Sequence, residues 1–219
     1  MKLLRVGTQG NEKPAVLDKD GKIRDLSSQI QDMSSEALNF ETISKINKID
    51  LKKLPVLLKT ERIGSCVNKP GKFVAIGLNY SDHAKETGMK PPKEPIVFIK
   101  ANSCIVGPND NILIPRGSVK TDWEIELGIV IGKKTSYISE SESYDHIFGY
   151  CIVNDISERE FQIERSGQWD KGKGCDTFGP IGPYIVTKDE FKDIQNLKLE
   201  LKLNGSLVQS GNTNKMIFG

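Results

Sequence analysis

The sequence predicts a mixed, mostly β fold with a small α+β appendage at the N-terminus. From residue 73 onward, short apolar runs recur between glycines and prolines, which is the pattern of strands separated by turns. Closer to the C-terminal end, leucines alternate with charged residues over Leu197–Leu203, and the pair Asn204-Gly205 that follows is a strong hairpin signal. The 219 residues, 37% hydrophobic and 27% charged, have the composition of an ordinary globular protein.

The appendage is predicted to span residues 1–65 and to begin with a hairpin. Short apolar runs in this region flank a turn that contains aspartates and a glycine. A helix is expected to follow, with Ser34 or Ser35 as its N-cap. The predicted elements are strands at Leu3–Val6, Ala15–Leu17 and Ile23–Leu26, a turn at Asp18–Gly21, and a linker around Asn68–Gly71.

The second domain, residues 71–219, is predicted to consist mainly of strands with one short helix near its start. Ser81 is expected to cap this helix, and Gly88 to end it, because glycine readily adopts the left-handed conformation that often follows a helix. The predicted strands are Phe73–Gly77, Ile96–Ile99, Ile112–Ile114, Glu124–Ile131, Ile147–Val153 and Tyr184–Val186.

Three carboxylates on two of these strands indicate a metal site. Glu124 and Glu126 are two residues apart on one strand, so their side chains point to the same face. Asp155 ends the next apolar run and reaches the same place if the two strands are neighbours. Three oxygen donors suit Mg²⁺, Mn²⁺ or Ca²⁺ better than Zn²⁺. The alternative is that Glu-x-Glu marks the solvated face of an antiparallel sheet.

The continuation of the Glu124 strand favours a buried setting for the carboxylates. Residues Gly128–Gly132 are apolar without alternation, as in strands that are covered on both faces. We therefore expect this strand to be central in its sheet.

Charge and hydropathy exclude several classes of function. Thirty-one basic and 29 acidic residues leave a net charge of +2 without long single-sign blocks, which gives no support for binding nucleic acid or a membrane surface. No apolar run approaches the ~20 residues of a membrane span, and no signal peptide is evident. The four cysteines lack the Cys-x-x-Cys spacing of zinc sites. The sequence indicates a cytoplasmic protein with reduced thiols.

His83 and Glu86 lie on the predicted short helix and are candidates for acid–base chemistry. Residues three apart share a helix face, so the carboxylate can orient an imidazole that acts as a general base. The alternative is a solvated histidine without a catalytic role. The Glu86 partner and the preceding Asn79-Tyr80 turn favour the catalytic interpretation.

A helix is also predicted just after Asp155. Ser157 and Glu160 have the spacing of a capping box, which places the start of a helix beside the carboxylates. Arg159 and Gln162 would then share one side of this helix and reach an anionic ligand at the metal. Alternatively, both are ordinary solvated residues.

The glycine-rich segment Gly167–Gly174 resembles a phosphate-binding loop. Gly174 replaces the required Ser or Thr, and no strand precedes the segment, which excludes nucleotide binding. We expect a mobile loop that delivers Lys171 or Lys173 over a substrate as a lid closes. The alternative is a flexible surface loop with solvated lysines.

Together these motifs resemble the fumarylacetoacetate hydrolase family in their residues, order and spacing. The resemblance extends over essentially the whole chain. Within the family, Gln168–Lys173 is similar to the branch that contains ureidoglycolate lyases and 2,4-diketo-3-deoxy-L-fuconate hydrolases. The motifs are Gly77–Glu86, Asp122–Leu127, Gly149–Asp155 and Lys173–Pro183.

The resemblance implies a fumarylacetoacetase-like fold with a rolled β-sheet, usually in a homodimer. It implies Mg²⁺ or Mn²⁺ bound by the residues that match the family's ligands, and a small oxo-acid as substrate. The implied roles are metal ligation by Glu124, Glu126 and Asp155, water activation by His83 with Glu86, charge stabilisation by Lys173, and substrate contact by Arg159 and Gln162.

Two features depart from the family pattern. Some relatives carry arginine where this chain has Leu78, which removes one expected substrate contact. The family also continues into a Thr-Gly-Thr-Pro motif beside the metal, which this sequence lacks. We therefore expect a chain truncated at the C-terminus, with that part of the second domain missing.

The sequence thus predicts metal-dependent hydrolysis of a carbon–carbon bond in a small 2,4-dioxo, acylpyruvate-like acid. One alternative is ureidoglycolate lyase chemistry or oxaloacetate-type decarboxylation at the same metal. Another is an inactive truncated protein, or a metal-binding interaction protein.

Overall fold

An eight-stranded sheet forms the centre of the fold in this computed structural model, which describes residues 1–58 and 61–219. The strands, labelled in chain order, are β1 (Lys2–Val6), β2 (Lys13–Leu17), β3 (Ile23–Asp25), β4 (Val56–Leu57), β5 (Val74–Gly77), β6 (Ile96–Ile99), β7 (Ile105–Val106), β8 (Thr121–Asp122), β9 (Ile125–Ile131), β10 (Ile147–Asn154), β11 (Ser157–Glu158), β12 (Gly179–Thr187), β13 (Lys198–Leu203) and β14 (Ser206–Asn212).

The large sheet has the order β4-β3-β2-β1-β12-β10-β9, and β7 pairs in parallel with β12. Its other ladders are antiparallel. Three two-stranded sheets accompany it, formed by β5 with β6, β8 with β11, and β13 with β14. This architecture confirms the predicted mixed, mostly β fold.

The helices are short. They are α1 (Phe40–Asn47), α2 (Ser81–Glu86), α3 (Asp170–Lys173), a π turn at Glu160–Glu164, and 3-10 turns at Leu51–Lys53, Asn102–Cys104, Glu140–His146, Lys188–Glu190, Ile194–Asn196 and Thr213–Lys215. Among the residues that the structure describes, no helix combines the length and apolar character needed to cross a bilayer.

The predicted N-terminal hairpin is present, and Asp18 organises its turn. One carboxylate oxygen of Asp18 accepts hydrogen bonds from the backbone N–H groups of Asp20 and Lys22, at 3.0 and 2.8 Å. The other oxygen accepts from Nε of the buried Arg24 at 2.7 Å. An aspartate that binds backbone groups two residues ahead is a common way to stabilise a turn.

The large sheet passes from the N-terminal segment into the rest of the chain without a break. β1 pairs with β2 on one side and with β12 on the other, where Lys2 lies opposite Val186 and Leu3 opposite Ile185. One apolar core accordingly contains Leu3 together with Phe148 of β10. The domain boundary between residues 65 and 71 stays a prediction, but the segments on either side of it share a sheet and a core.

The predicted start of the first helix is wrong. α1 begins at Phe40, and Asn39 is its N-cap, because the Asn39 side chain accepts a hydrogen bond from the Thr42 N–H at 2.9 Å. Ser34, one of the two predicted caps, lies in a separate turn where its hydroxyl binds a nearby glutamate. Asn and Ser are about equally good caps, so residue type alone does not locate the helix start.

β9 lies at the edge of the large sheet, so the prediction of a central strand is wrong. Within the described ranges it pairs with β10 alone, and Ile129 and Ile131 are 52% and 54% exposed. An apolar run shows that both faces of a strand carry apolar side chains. It does not show that both faces are covered.

The predicted strand at Ile112–Ile114 is also wrong. The Leu113 N–H donates to the hydroxyl of Thr177 at 2.8 Å instead of to a neighbouring strand. Pro115 follows directly, and proline has no N–H to contribute to a ladder.

Most of the other predicted elements are confirmed within one or two residues, but the strand predicted at Tyr184–Val186 begins five residues earlier, at Gly179. α2 begins at Ser81, with Tyr80 in the N-cap position, and Gly88 follows it with a φ of +69°. Asn204 and Gly205 connect β13 to β14 with φ values of +50° and +86°, as this type of hairpin requires.

A network of ion pairs ties the first strands to the segment after β7. Arg62 donates to both oxygens of Asp110, at 2.7 and 2.5 Å, and to Glu12 at 2.7 Å. Glu12 in turn accepts from the buried Arg5 at 3.2 Å. The hydrogen bonds from Arg62 hold the pKa of Asp110 below its usual value, although partial burial opposes the shift.

Replacing Asp110 with Asn should lower the free energy of unfolding at neutral pH by about 1 to 2 kcal/mol, because partly exposed, charge-assisted hydrogen bonds are lost. The folded-state pKa of Asp110 is depressed. Its contribution is therefore present above the pKa of the unfolded chain and is lost as the pH falls through the folded-state value. Urea unfolding at several pH values should show the difference from wild type shrinking on acidification.

The matched control is Asp145→Asn, at an exposed aspartate of a 3-10 turn. Its stability should stay close to wild type throughout. A D110N deficit that is independent of pH would contradict the assigned role.

Candidate active site

The register of β9 and β10 places Glu124 beside Asp155. Glu126 lies opposite Val153 in this ladder, and the pairing continues past the strand ends. The Asp155 N–H donates to the Glu124 carbonyl at 2.9 Å, and the Glu124 N–H donates to the Asn154 side chain at 3.1 Å. Backbone contacts therefore fix the relative position of the two carboxylate-bearing residues.

The Lys173 ammonium lies between these two carboxylates. It donates to Glu124 Oε2 and, at 2.7 Å, to Asp155 Oδ2. Its Nζ also lies 5.1 Å from the centre of the Phe98 ring. Lys173 is only 2% exposed, which is unusual for lysine unless its charge is paired. One buried cation thus bridges two of the three predicted metal ligands.

The segment that carries Lys173 is a helical turn over Asp170–Lys173, so the prediction of a loop is wrong there, and closure as a lid stays a prediction. Lys173 ends α3, a single helical turn that packs against the π turn. Gly172 is tightly enclosed, since a Cβ atom there would lie 2.3 Å from the Glu158 carbonyl oxygen. Lys171, the other candidate on this segment, is exposed and donates to the Arg165 carbonyl at 3.0 Å.

A second buried lysine, Lys100, approaches Asp155 from the other side. Its Nζ lies 2.6 Å from Asp155 Oδ1 and donates to two backbone carbonyls, that of Ile156 at 3.2 Å and that of Lys173. Lys100 is 1% exposed. Asp155 Oδ1 receives no well-directed hydrogen bond, so its compensation comes from the adjacent ammonium charge.

Arg159 connects Glu124 to the start of the carboxylate motif. Its Nε and Nη2 donate to Asp122 Oδ2 at 2.9 and 2.8 Å, and Nη2 also lies 2.5 Å from Glu124 Oε1. Its Nη1 donates to the side-chain oxygen of the buried Gln162 at 3.1 Å. Burial raises the pKa of Glu124, but the charges of Lys173 and Arg159 outweigh this and hold the pKa below its usual value.

The predicted capping box after Asp155 is wrong. Ser157 belongs to β11, where it pairs with Asp122, and its hydroxyl donates to the Asp155 carbonyl at 2.9 Å. The Glu160 N–H is instead bound by the carboxylate of Glu158 at 2.9 Å. The π turn still presents Arg159 and Gln162 together, but it begins two residues later than a helix capped by Ser157 would.

Glu126 is the carboxylate without a partner. No cation or hydrogen-bond donor contacts it in the part of the chain that the structure describes. Burial, with the negative charges of Glu124 and Asp155, raises the pKa of Glu126 to about 8. The buried hydroxyl of Tyr80 likewise finds no hydrogen-bond partner within residues 1–58 and 61–219, and burial together with the Glu126 charge raises its pKa.

The three carboxylates have the chemistry of a site for a hard divalent cation. Among the described residues, the carboxylate oxygens of Glu126 accept no hydrogen bond, and Mg²⁺ and Mn²⁺ prefer such ligands. As the side chains stand in residues 1–58 and 61–219, no three His, Cys, Asp or Glu groups form a closed metal cluster. The Lys173 ammonium lies where two of the carboxylates converge. The residues therefore fit a divalent cation once Lys173 moves.

His83 and Glu86 lie close to each other but outside the carboxylate cluster. His83 Nδ1 is 3.9 Å from Glu86 Oε2, which is too long for a hydrogen bond, and the side chains are 51% and 82% exposed. Asn79 fixes the start of α2 by hydrogen bonds of 2.8 to 3.0 Å to Ile217 and Phe218. The structure therefore groups six of the eight predicted site residues around the strand ends and leaves His83 and Glu86 at the surface.

Lys100 was not predicted as a site residue from the sequence, and no role was predicted for Tyr80 or Asp122. Lys100 follows the apolar strand β6 directly, but a lysine at a strand end is usually solvated, so its burial had no local signal. Asp122 precedes Glu124 by two residues and could have been noticed by the same alternation that grouped Glu124 with Glu126.

Comparison with known proteins identifies the family. The model of the fumarylacetoacetate (FAA) hydrolase C-terminal family matches residues 72–219. A protein of Burkholderia lata that carries only a provisional hydrolase name is 56% identical over 218 residues, which cover 100% of this chain and 77% of that protein.

Solved structures show the same fold. The fumarylacetoacetate hydrolase of Exiguobacterium antarcticum superposes with a TM-score of 0.84 at 34% identity, covering 99% of this chain and 76% of the other. A probable 2-hydroxyhepta-2,4-diene-1,7-dioate isomerase of Mycobacterium abscessus gives 0.80 at 32%, with 100% and 76% covered. Maleylpyruvate hydrolase of Sphingobium, in complex with Mn²⁺ and pyruvate, gives 0.81 at 26%, with 99% and 78% covered. The chain therefore belongs to the fumarylacetoacetate hydrolase family.

Proposed function

We propose that this protein hydrolyses a carbon–carbon bond in a small 2,4-dioxo acid with the help of a divalent cation. This proposal is supported by a group of mutually compensated charges formed by Glu124, Asp155, Lys173 and Arg159, of which Asp155 and Lys173 are buried. The structural likeness to maleylpyruvate hydrolase, whose structure holds Mn²⁺ and pyruvate, supports this substrate class. Pyruvate is the product expected when the bond between C3 and C4 of a 2,4-dioxo acid is hydrolysed.

The acidic and basic residues of the cluster have different roles in this proposal. Glu124, Glu126 and Asp155 hold a divalent cation, which when bound supplies Lewis-acid polarisation of the substrate's oxo groups. Arg159, already oriented by Asp122 and Gln162, binds the substrate carboxylate.

The reaction adds water to the C4 carbonyl. The bond from C4 to C3 then breaks, its electron pair stays on C3 as the pyruvate enolate, and a proton is delivered to C3. The Lys173 ammonium stabilises the negative charge that develops on the enolate oxygen.

His83 accepts the proton of the attacking water in this proposal, and Glu86 orients the imidazole when the 3.9 Å separation between them shortens to a hydrogen bond. For this role, α2 has to bring the half-exposed His83 to the C4 end of a bound substrate.

Isomerisation of a related 2-hydroxy dienoic diacid is the second candidate. The isomerase from Mycobacterium abscessus is more similar in sequence to this chain than maleylpyruvate hydrolase is, at 32% against 26% identity. A proton shift within the substrate requires no attacking water, which agrees with the exposed position of His83. Ureidoglycolate lyase and oxaloacetate-type decarboxylase activities remain alternatives in the same substrate panel.

Glu124→Gln and Glu126→Gln should each weaken Mn²⁺ binding by about 10- to 100-fold or more, because each removes a charged oxygen ligand. Isothermal titration calorimetry with Mn²⁺ measures this. Glu140→Gln, at an exposed 3-10 turn, is the control and should bind as wild type does. Wild-type affinity in both site variants would reject this ligand set.

His83→Ala should lower kcat on a cleaved 2,4-dioxo acid by about two to four orders of magnitude, the usual contribution of a positioned general base. The change should fall on kcat rather than on KM, since His83 lies outside the cluster that binds the acid. His146→Ala provides the control at the other histidine, which contacts Thr135. Undiminished turnover in H83A would remove His83 from the mechanism.

Turnover in H₂¹⁸O distinguishes hydrolysis from isomerisation and decarboxylation. A panel of acylpyruvates, 2,4-diketo sugar acids, 2-hydroxy dienoic diacids, oxaloacetate and ureidoglycolate should be tested with Mg²⁺ and Mn²⁺. Hydrolysis places one solvent oxygen in the carboxylate of the released acid, whereas the isomerase reaction leaves the carbon skeleton intact. Mass spectrometry of the products should show the labelled acid from an acylpyruvate, and activity confined to another substrate would contradict the proposal.

A further inference from the structure

We propose that Lys173 and a divalent cation are alternative occupants of the Glu124 and Asp155 carboxylates, and that cation binding releases the Lys173 ammonium toward the substrate. This inference rests on the proposed function, because it requires that the cluster bind a cation. It adds an exchange between a side chain of the protein and the ion, with Lys100 as the group that stays in place.

The two buried lysines differ in what holds them. In the described residues, the polar partners of Lys173 Nζ are the carboxylates of Glu124 and Asp155 alone. Lys100 Nζ also contacts Asp155, but it is bound in addition by the backbone carbonyls of Ile156 and Lys173. These carbonyls belong to the backbone, so an ion that binds the carboxylates leaves the hydrogen bonds of Lys100 to them intact. Lys100 is therefore anchored, and Lys173 is displaceable.

Lys173 contacts two carboxylates that are also proposed ligands of the cation. Its contacts are Glu124 Oε2 and Asp155 Oδ2, one oxygen from each carboxylate. An ion that used these oxygens would lie against the ammonium, and two like charges in a buried site repel each other strongly. The ion and the ammonium therefore compete for these two carboxylates, and repulsion from the bound ion favours displacement of the Lys173 ammonium.

The Phe98 ring beside the site can retain the ammonium after the carboxylates release it. The Phe98 ring centre lies 5.1 Å from Nζ, and the face of an aromatic ring attracts a cation. The lysine stem is flexible, and its ammonium is a compact donor that can be redirected to an anionic ligand. Arg159 donates to the other oxygen of Glu124, Oε1, and to Asp122. Arg159 can therefore stay in place when Lys173 leaves.

This arrangement gives Lys173 two successive tasks. Without a cation, it compensates two buried carboxylates that would otherwise repel each other. With a cation bound, the same ammonium becomes available to a substrate anion. Lys100, by compensating Asp155 Oδ1 in both states, is a positioning residue and not a catalytic one.

The test compares Lys173→Met with Lys100→Met. Each variant removes one ammonium group that contacts Asp155. Mn²⁺ affinity is measured by isothermal titration calorimetry on the full-length protein without substrate. K173M should bind Mn²⁺ at least about tenfold more tightly than wild type, because the competing ammonium group is absent. K100M should bind no more tightly than wild type, and Lys171→Met, at an exposed lysine of the same turn, should match wild type.

Two calorimetric results would overturn the exchange. One is wild-type affinity in K173M. The other is an equal gain in K173M and K100M, which would mean that the net charge of the site, and not the place of the ammonium, sets the affinity. Neither result affects the proposed function, whereas absence of Mn²⁺ binding in wild type and in every variant would overturn both.

A second measurement avoids dependence on the folding of K100M. In wild-type protein labelled with ¹³C-lysine, titration with Mg²⁺ should shift the side-chain resonance that is missing from the spectrum of K173M. The resonance of exposed Lys171, identified in the same way, should stay in place. A Lys173 resonance that does not respond to Mg²⁺ at concentrations that saturate binding would overturn the proposal.

Discussion

The compensation of one buried carboxylate, Asp155, is the interaction on which the rest of the site depends. Asp155 is 4% exposed, and two ammonium groups approach it, one at each oxygen. Removing one partner of a buried ion pair leaves an uncompensated charge, which is far more costly than the pair is stabilising. The ends of β6, β10 and α3 therefore have to meet at this point. Each of these segments is held in position partly by the charges carried by the other two.

The same network explains why the site is preorganised before any ligand arrives. Glu124 lies between Lys173 and Arg159, and Arg159 is itself fixed by Asp122 and Gln162. Side chains locked by several partners need little rearrangement to bind an anion. Glu126, by contrast, has no cation partner among the described residues, and burial together with the charges of Glu124 and Asp155 raises its pKa. Together, the fixed Arg159 and the carboxylate of Glu126 describe a site that accommodates one more positive charge.

Local signals in the sequence were reliable where a few neighbouring residues decide the geometry. The Asn204-Gly205 hairpin, the end of α2 at Gly88 and the alternation that paired Glu124 with Glu126 are of this kind. The errors came where distant residues compete for the same groups. Ser157 has the spacing of a cap, yet its hydroxyl binds Asp155. The glycines around Lys173 suggested flexibility, whereas Gly172 permits close packing against Glu158. The predicted homodimer and cytoplasmic location stay predictions.

The sequence by itself determined the mostly β fold, the family and the identity of the acidic and basic residues near the strand ends. These follow from residue type and from spacings of two or three residues, which backbone geometry converts directly into a shared face. Only the tertiary structure decided that β9 is an edge strand, that Lys173 is buried between two carboxylates, that Lys100 joins it, and that His83 stays at the surface. The reason is physical: the burial of a charge depends on which distant groups compensate it, and no local pattern contains that information.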